Sequence, residues 1–265
     1  GKPLDVWKNL VEKFPSASVY TNSDYEPYAI KRDKLVTNFL NSKNIQFHSY
    51  KDQVIFEKSE ITKDDGSPYT VYTPFKNKWK KAFLEHTLEE YPVENLTFNF
   101  QKMESEKFKS LDKIGFQHVH YSLPSTQINP DVIKDYDKTR DYPALDKTSH
   151  QSIHLRFGTM SVRQLVKAAL DLNETWLNEL VWREFFMSIL YHFPYVENRS
   201  FRPRYDNIEW RNDQDDFNRW CNGTTGFPLV DAGMRQLNET GYMHNRVRMV
   251  VANFLTKDLL IDWRW

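Results

Sequence analysis

A predicted helix at residues 175–186, "TWLNELVWREFF", carries side chains that could bind a flat, polar ligand. Trp176, Glu179 and Arg183 follow one another at intervals of three and four residues, so one helix face presents all three. Trp182 precedes Arg183 and widens that face with a second indole. Burying a Glu–Arg pair beside aromatic rings costs desolvation free energy that an apolar pair avoids. The pattern favours a planar polar ligand, and an amphipathic core helix with an intrahelical ion pair is the equal alternative.

The stretch "GYMHNRVRM" at residues 241–249 begins a second predicted helix, which continues as "VVANFLTKDLL". Asn245, Arg248 and Met249 stand at i, i+3 and i+4, so they share one face. An ordinary surface helix keeps its polar residues opposite its apolar stripe. The mixed face therefore indicates that a polar and an apolar partner meet at the same end of this helix.

The stretch "TSHQS", Thr148 to Ser152, places hydroxyl and amide side chains just before a helical region. Hydroxyls and free backbone N–H groups at such a place can bind a phosphate. Upstream, Tyr136 offers a stacking surface and Arg140 a further phosphate contact. A plain helix cap is the alternative, and it is the simpler explanation when this stretch is taken alone.

Several catalytic and metal-binding patterns do not occur in the sequence. It contains no nucleophile elbow, Walker loop, "HExxH" or dinucleotide fingerprint. His118 and His120 flank one valine, and His150 and His154 are four residues apart, but no cysteine lies near either pair. Asp146 is the only carboxylate at helical spacing from any of the four histidines. We therefore predict no metal site.

Composition bounds the class of protein. The 265 residues are 27% charged and 40% hydrophobic with zero net charge, as in a globular domain that has no overall attraction to nucleic acid. Cys221 is the only cysteine, which favours a reducing compartment, and we expect the cytoplasm. Of 14 arginines, 13 follow residue 130, whereas 17 of 22 lysines precede it. Arginine suits phosphate binding and stacking, although a solvated lysine-rich surface explains the bias more simply.

The hydrophobic pattern divides the chain into an α/β part and a helical part. The runs "SASVYTN", "QFHSY" and "QVIFE" predict strands, and "YAIKRDKLVTNFLNSKN" predicts a helix between the first two, which together make a parallel-sheet unit. The runs "SVRQLVKAAL" and "FPLVDAGMRQLNETG" predict helices, with Ser161 as the cap of the first and Pro228 and Gly241 as the limits of the second. The polar segment between the two parts reads as a connector.

The order of these motifs resembles the photolyase/cryptochrome family. The stretches that carry the resemblance are "SDYEPYAIKRD", "YTVYTPFKNKW", "TSHQSIHLRFG", "NELVWREFF" and the run from "IEWRNDQDDF" to "LLIDWRW". The resemblance implies an α/β N-terminal portion, an incomplete parallel-sheet antenna domain at 1–84, and a connector at 85–130. An all-α FAD-binding domain, incomplete at its C-terminus, is implied at 131–265. Because both ends of the family fold are expected to be missing, we expect this chain alone to bind FAD weakly or not at all.

The resemblance also implies residue roles. Glu179, Trp182, Asn245 and Met249 are expected to act on the damaged bases, and Trp210 and Trp263 to carry electrons to the flavin. Expected DNA contacts are Arg140, Glu179, Trp182, Arg246 and Met249. Expected FAD contacts are Tyr136, Thr148, Ser149, His150, Gln151, Ser152, Trp176, Arg183, Asn245 and Arg248. His150 and Gln151 depart from the commoner "TSRLS" form of the family.

The activity implied by the resemblance is that of a class I cyclobutane pyrimidine dimer photolyase, a lyase that repairs DNA under blue light. Electron transfer from excited reduced FAD splits the dimer, and a folate or deazaflavin antenna chromophore, near Glu26, is a possible second cofactor. Asn245 and Met249 argue against a six-four photolyase, which has histidines in this stretch. A cryptochrome-type light receptor and a cofactor-free helical binding module remain alternatives. UV-damaged DNA is the expected partner of a monomer that does not bind membranes.

Overall fold

The computed structural model describes residues 1–14, 16, 18–88, 91, 96, 98–100, 109–117 and 122–265. The N-terminal part contains a two-stranded parallel sheet, in which β1 (Ser18–Asn22) pairs with β2 (Gln46–Tyr50). Helix α2 (Pro27–Asn41) connects the strands, and α1 (Pro3–Lys13) packs against it. Val19, Val36, Leu40 and Ile45 form a small core between sheet and helix. The predicted strand–helix–strand unit is thus present.

The prediction of a third strand at "QVIFE" is wrong. Residues 53–57 form bends rather than a strand. The N–H groups of Ile55 and Phe56 donate to the carboxylate of Glu184, over 2.8 and 2.9 Å, so that a side chain takes the bonds a neighbouring strand would receive. Because these backbone N–H groups are hydrogen-bonded to a side chain, pairing with a neighbouring strand is not required to satisfy them.

The helical part begins with short helices and centres on a long one. After α3 (Tyr72–Leu84), the predicted connector is described only in part and includes the 3₁₀ turn Leu111–Ile114. The helices that follow in chain order are α4 (Pro130–Lys134), α5 (Tyr136–Thr139), α6 (Ser152–Phe157), α7 (Val162–Leu172) and α8 (Glu174–His192). Ser161 caps α7 as predicted, because its side chain accepts from the N–H of Arg163.

The largest core joins the two parts of the chain around α8. Phe75 and Trp79 of α3 pack with Leu165 of α7 and with Val181 and Phe185 of α8. All five side chains are buried. This core fixes the position of α8 and therefore of the side chains on its remaining faces. Its members span more than 100 residues of sequence.

A second core packs the last helices together. Helix α9 (Gln214–Asn222) precedes α10 (Pro228–Thr240) and α11 (Asn245–Asn253), and a π-helical turn, Phe254–Asp258, follows. Pro228 begins α10 and Gly241, at φ +68°, ends it, as predicted. Among the helices that the structure describes, none is long and apolar enough to cross a membrane.

Candidate functional site

One cavity of about 480 Å³ lies between α5, α8, the start of α11 and the loop before α6. All ten residues predicted to contact FAD line it: Tyr136, Thr148, Ser149, His150, Gln151, Ser152, Trp176, Arg183, Asn245 and Arg248. Three of the five predicted DNA contacts, Arg140, Glu179 and Arg246, line the same cavity. The structure thus gathers residues from four separate stretches of sequence into one place. Their individual roles remain predictions.

The cap of α8 sets the position of its cavity-facing side chains. Asn173 accepts hydrogen bonds from the N–H groups of Thr175 and Trp176, at 2.9 and 3.1 Å, and so satisfies two free donors of the first turn. Trp176 is 4% exposed, and its Nε1–H donates to Ser149 Oγ over 3.3 Å. The indole of α8 is thereby joined to the loop that forms the opposite side of the cavity.

The loop before α6 is held by a polar network. His150 adopts the left-handed conformation at φ +53°, which few residues other than glycine take. Its Nε2 lies 3.0 Å from Asp146 Oδ1 and 3.3 Å from Thr148 Oγ1. Thr148 Oγ1 in turn lies 2.8 Å from the hydroxyl of Tyr242, whose ring packs 4.4 Å from the imidazole. This network turns the loop toward the cavity.

The charges that line the cavity favour an anionic ligand. Arg140, Arg156, Arg183, Arg246 and Arg248 line it, and the only carboxylate that does so among the described residues is that of Glu179. Burial lowers the pKa of Arg183, whose Nη1 donates to the carbonyl of Gln53 over 2.5 Å. Tyr136, Trp176 and Tyr242 add aromatic surface. Phosphate and an aromatic ring are the groups that such a lining suits.

An ion-pair network lies in the lining of the cavity near the first turn of α11. Arg140 Nη1 lies 2.6 Å from Glu179 Oε1, and Arg246 Nη2 lies 2.7 Å from Asp141 Oδ1. Burial raises the pKa of Glu179, and the charge and hydrogen bond of Arg140 oppose that rise. Both arginines predicted to contact DNA phosphates are therefore paired with carboxylates in this structure.

His244 caps α11, a role that the sequence interpretation missed. Its Nδ1 accepts from the N–H of Arg246 at 3.2 Å, and the side chain is 4% exposed. Burial, and then the charge of Arg246, lower the pKa of His244, which favours the neutral ring that this bond requires. Asn245 and Arg248 both line the cavity, and Arg248 Nη2 is held by the carbonyl of Met243 over 3.0 Å.

Two predicted DNA contacts do not line the cavity. The ring of Trp182 is stacked on that of Tyr72, with centroids 3.5 Å apart and planes at 8°, so one face expected to meet a damaged base is covered. Met249 is 51% exposed, and its sulfur lies 3.8 Å from Arg246 Nη1. The structure thus places Met249 at the surface beside the cavity.

The two predicted electron carriers lie together elsewhere. Trp210 and Trp263 line a separate groove of about 430 Å³, which Arg199 and Tyr205 also line. Trp263 is 41% exposed. Their role as electron carriers stays a prediction.

Glu184, which follows Arg183 on α8, is a buried carboxylate that the sequence interpretation did not predict. Glu184 is 4% exposed, and it accepts from Trp79 Nε1 at 2.7 Å besides the two backbone N–H groups of residues 55 and 56. Burial raises its pKa to about 7, although the three donors and Arg183 lower it in part. The glutamate next to Arg183 in the sequence was the only available signal, and its partners are 105 or more residues away.

Of the two histidine pairs, His118 and His120 lie outside the described residues. The pair His150 and His154 does not form a metal site in the structure. His154 places Nδ1 2.8 Å from Thr159 Oγ1 and Nε2 2.9 Å from the carbonyl of Pro124, so both ring nitrogens have protein partners. No group of three or more potential ligand side chains converges in the part of the chain that the structure describes.

Comparisons with known proteins agree with this arrangement. The family model of DNA photolyase matches residues 1–94, and the model of the FAD binding domain of DNA photolyase matches residues 176–265. A deoxyribodipyrimidine photo-lyase of Alkalihalophilus pseudofirmus is 34% identical over 96% of this chain. This chain spans 57% of the length of that relative.

Solved structures give the same result. A class III photolyase from Agrobacterium tumefaciens superposes with a TM-score of 0.83 at 30% identity. An archaeal photolyase from Sulfolobus tokodaii, solved with two FAD molecules, superposes with a TM-score of 0.75 at 33% identity. Each match covers the whole of this chain and 59% of the solved one. Family models at both ends of the sequence, relatives along nearly all of it and a shared fold agree, and the chain belongs to the DNA photolyase/cryptochrome family.

Proposed function

We propose that this chain binds FAD and belongs to an enzyme that repairs cyclobutane pyrimidine dimers in DNA under light. The observation that carries the proposal is the cavity itself, which gathers all ten residues expected to contact FAD and three further arginines. The names of the similar proteins support the same conclusion. The chain's α/β portion at 1–84, its connector at 85–130 and its helical FAD-binding portion at 131–265 are the domains of this proposal.

The donor set of the cavity fits FAD. A flavin adenine dinucleotide combines aromatic rings, hydroxyl groups and a diphosphate, and the cavity offers aromatic surface, hydroxyl side chains and arginines. Thr148, Ser149 and Ser152 supply hydroxyls, and Arg183 supplies a half-buried cation. The bound flavin, once reduced and excited by light, supplies the electron for dimer splitting.

The chain's own residues would bind and orient the damaged DNA. Arg140 and Arg246 would exchange their carboxylate partners for DNA phosphates, since guanidinium binds both kinds of group in the same bidentate manner. Arg140 would remain close enough to keep Glu179 ionised, so that its carboxylate would accept a hydrogen bond from a pyrimidine N–H. Met249, at the surface beside Arg246, would contact the lesion through its polarizable sulfur. The lesion must leave the duplex to reach the cavity, and the free energy of unstacking and unpairing is lower for damaged bases than for intact ones.

The first experiment is a titration of the purified protein with FAD, followed by absorption and fluorescence. Weak but saturable binding, weakened further by Arg183→Met and unaffected by Arg32→Met on α2, is the expected result. Irradiation with DNA that carries a pyrimidine dimer should then restore intact pyrimidines only in the presence of reducing agent and blue light. Absence of FAD binding would leave a cofactor-free helical module as the alternative.

A cryptochrome-type light receptor is separated from this proposal by the same assay. A receptor would bind FAD and undergo photoreduction but would leave the dimer unrepaired.

We also propose a second, antenna chromophore, a folate or deazaflavin, in the α/β portion near Glu26. The Sulfolobus photolyase, solved with two FAD molecules, supports the proposal of a second chromophore. A monomer located in the cytoplasm is part of the proposal, and sedimentation and cell fractionation test it.

A further inference from the structure

The segment at residues 51–56, which follows β2, is held against the helical part through its backbone. Arg163 of α7 donates to the first two carbonyl groups of the segment, over 3.4 and 3.1 Å. Arg183 of α8 donates to the next one, the carbonyl of Gln53, over 2.5 Å. Three successive carbonyl groups are therefore bound by two guanidinium groups of the helical part.

Glu184 binds the same segment through its N–H groups. The carboxylate accepts from the N–H of Ile55 at 2.8 Å and from that of Phe56 at 2.9 Å. The side chains of Val54 and Ile55 are each 1% exposed, so the segment is packed as well as hydrogen-bonded. Arg183 and Glu184, neighbours on α8, thus bind one short segment, one through a carbonyl group and the other through two N–H groups.

Only one of these two α8 side chains meets the cavity. Arg183 lines it together with Gln53, whereas Glu184 is 4% exposed and is not part of the lining. A guanidinium carries five N–H donors, so Arg183 can donate to the Gln53 carbonyl and still present donors to a ligand. The direction of the remaining donors depends on where that carbonyl lies, and the carbonyl belongs to the segment that Glu184 binds.

We propose that Glu184 is a positioning residue for the cavity, because it fixes the segment at 51–56 and so lets the Gln53 carbonyl orient the donors of Arg183. The inference rests on the proposed binding of FAD. Side chains that are already ordered bind a ligand more tightly, since less conformational entropy is lost on binding. The negative charge of Glu184 has the opposite effect, because it disfavours an anionic ligand nearby. Neutralising Glu184 therefore weakens FAD binding through position and strengthens it through charge.

Glu184→Gln separates these two effects by the sign of the change. The new amide group carries N–H donors that would face the N–H groups of the segment, so the segment should shift. At pH 8, above the pKa of about 7 of Glu184, FAD affinity should fall about fivefold or more, as for residues coupled by contact. Glu174→Gln makes the same change at an exposed ion pair of α8 and should keep the wild-type affinity.

A double-mutant cycle with Arg183→Met separates positioning from a general loosening of the protein. In the Arg183→Met background, Glu184→Gln should change FAD affinity by less than about twofold, because no guanidinium remains to be oriented. Urea unfolding shows whether each variant is folded under the conditions of the titration. If Glu184→Gln does not fold, Glu184→Asp replaces it in the cycle with the same expected loss, since it keeps the charge and withdraws the carboxylate by one methylene group.

Three outcomes of the titrations are decisive against the inference. FAD affinity at or above the wild-type value in the Glu184 variant overturns it, as does an equal loss of affinity in both backgrounds. Either result leaves the proposed function standing, because the wild type still binds FAD. Failure of the wild type to bind FAD overturns the inference and the proposed function together.

Discussion

Arg140 and Glu179 form an ion pair in the lining of the cavity, with Nη1 2.6 Å from Oε1. Arg140 follows α5, and Glu179 belongs to the face of α8 that also carries Trp176. Burial alone would favour the protonated carboxyl, and the guanidinium opposes that effect. The charge state of Glu179, and with it the ability to accept a hydrogen bond from a base, therefore depends on Arg140.

Replacing Arg140 by methionine should raise the pKa of Glu179 further, because burial would act without an opposing charge. We expect a loss of about 1 kcal/mol in the free energy of unfolding, since both side chains keep contact with water and screening weakens the pair. A carboxyl ¹³C titration and urea unfolding measure the two effects. Lys138→Met, which breaks the exposed pair with Asp135, is the control and should change neither quantity. An unchanged Glu179 titration would contradict the assigned coupling.

On the proposed function, Asp141→Asn should release Arg246 for a DNA phosphate. Asp141 accepts from Arg246 Nε and Nη2, both at 2.7 Å, so the carboxylate competes with a DNA phosphate for the same donors. We expect tighter binding of dimer-containing DNA and a salt dependence steeper by about one unit in log K against log salt. Fluorescence anisotropy at several salt concentrations measures both.

The control for Asp141→Asn is Asp131→Asn on α4, which removes the same charge from an exposed ion pair with Lys134. Equal gains in affinity for the two variants would mean that net charge, rather than the release of Arg246, causes the effect. Weaker binding by Asp141→Asn would show that Asp141 orients Arg246 rather than competing for it.

Glu184 should make stability depend on pH. Its pKa rises from 4.5 to about 7 on folding, so between these values the folded protein binds more protons than the unfolded one. The free energy of unfolding then falls as pH rises from 4.5 to 7, by up to about 3 kcal/mol. Glu184→Gln should remove this fall, which urea unfolding at pH 4.5, 6 and 8 measures.

Glu174→Gln provides a control of opposite sign for Glu184. Lys80 lowers the pKa of Glu174, so the ion pair stabilises the folded state above the ordinary carboxyl pKa and is lost as pH falls. The contribution is small because Glu174 is exposed. If wild type and Glu184→Gln show the same pH profile, the carboxyl of Glu184 does not titrate in this range.

Local patterns predicted the parts of the site that lie within single elements. The spacing of Trp176, Glu179 and Arg183 correctly placed all three on the cavity side of α8. The prediction that Ser161 caps α7 and that Gly241 ends α10 is confirmed. Both depend on residues that are neighbours in sequence.

Long-range partners account for what the patterns missed. The segment at 53–57 is rich in residues that favour strands, but the N–H groups of Ile55 and Phe56 bind Glu184, which lies 129 and 128 residues away. Tyr72 of α3 covers one face of the Trp182 ring, a contact that no local pattern predicts. Gln53 and Tyr242 line the cavity although neither was among the predicted site residues. Tertiary contacts of this kind leave no periodic trace in the sequence.

Trp210→Phe or Trp263→Phe should slow photoreduction of the flavin and spare dimer repair by enzyme reduced beforehand. This expectation rests on the proposed electron-carrying role of the two indoles, which share one groove. Phenylalanine fills much of the same space but is far harder to oxidise. Absorption changes under blue light follow photoreduction, and Trp7→Phe on α1 is the control. Photoreduction at the wild-type rate in both variants would exclude them from the electron path.

Gly233 allows α10 and α11 to pack closely, so Gly233→Ala should destabilise the protein. A Cβ at this position would lie 2.5 Å from Val247 Cγ1 and 3.0 Å from Val251 Cγ2. Overpacking of this kind costs about 1–3 kcal/mol, and the higher helix propensity of alanine offsets about 1 kcal/mol of it. Gln236→Ala, on the exposed side of α10, tests propensity alone and should not destabilise.

Pushing α11 away from α10 should also weaken ligand binding, because Asn245, Arg246 and Arg248 all line the cavity from the first turn of α11. Urea unfolding and FAD titration measure the two losses. The double variant Gly233→Ala/Val247→Ala removes the nearest obstacle and should recover part of both, although it loses the buried valine side chain. If FAD affinity stays at the wild-type value while stability falls, the position of α11 does not control the cavity.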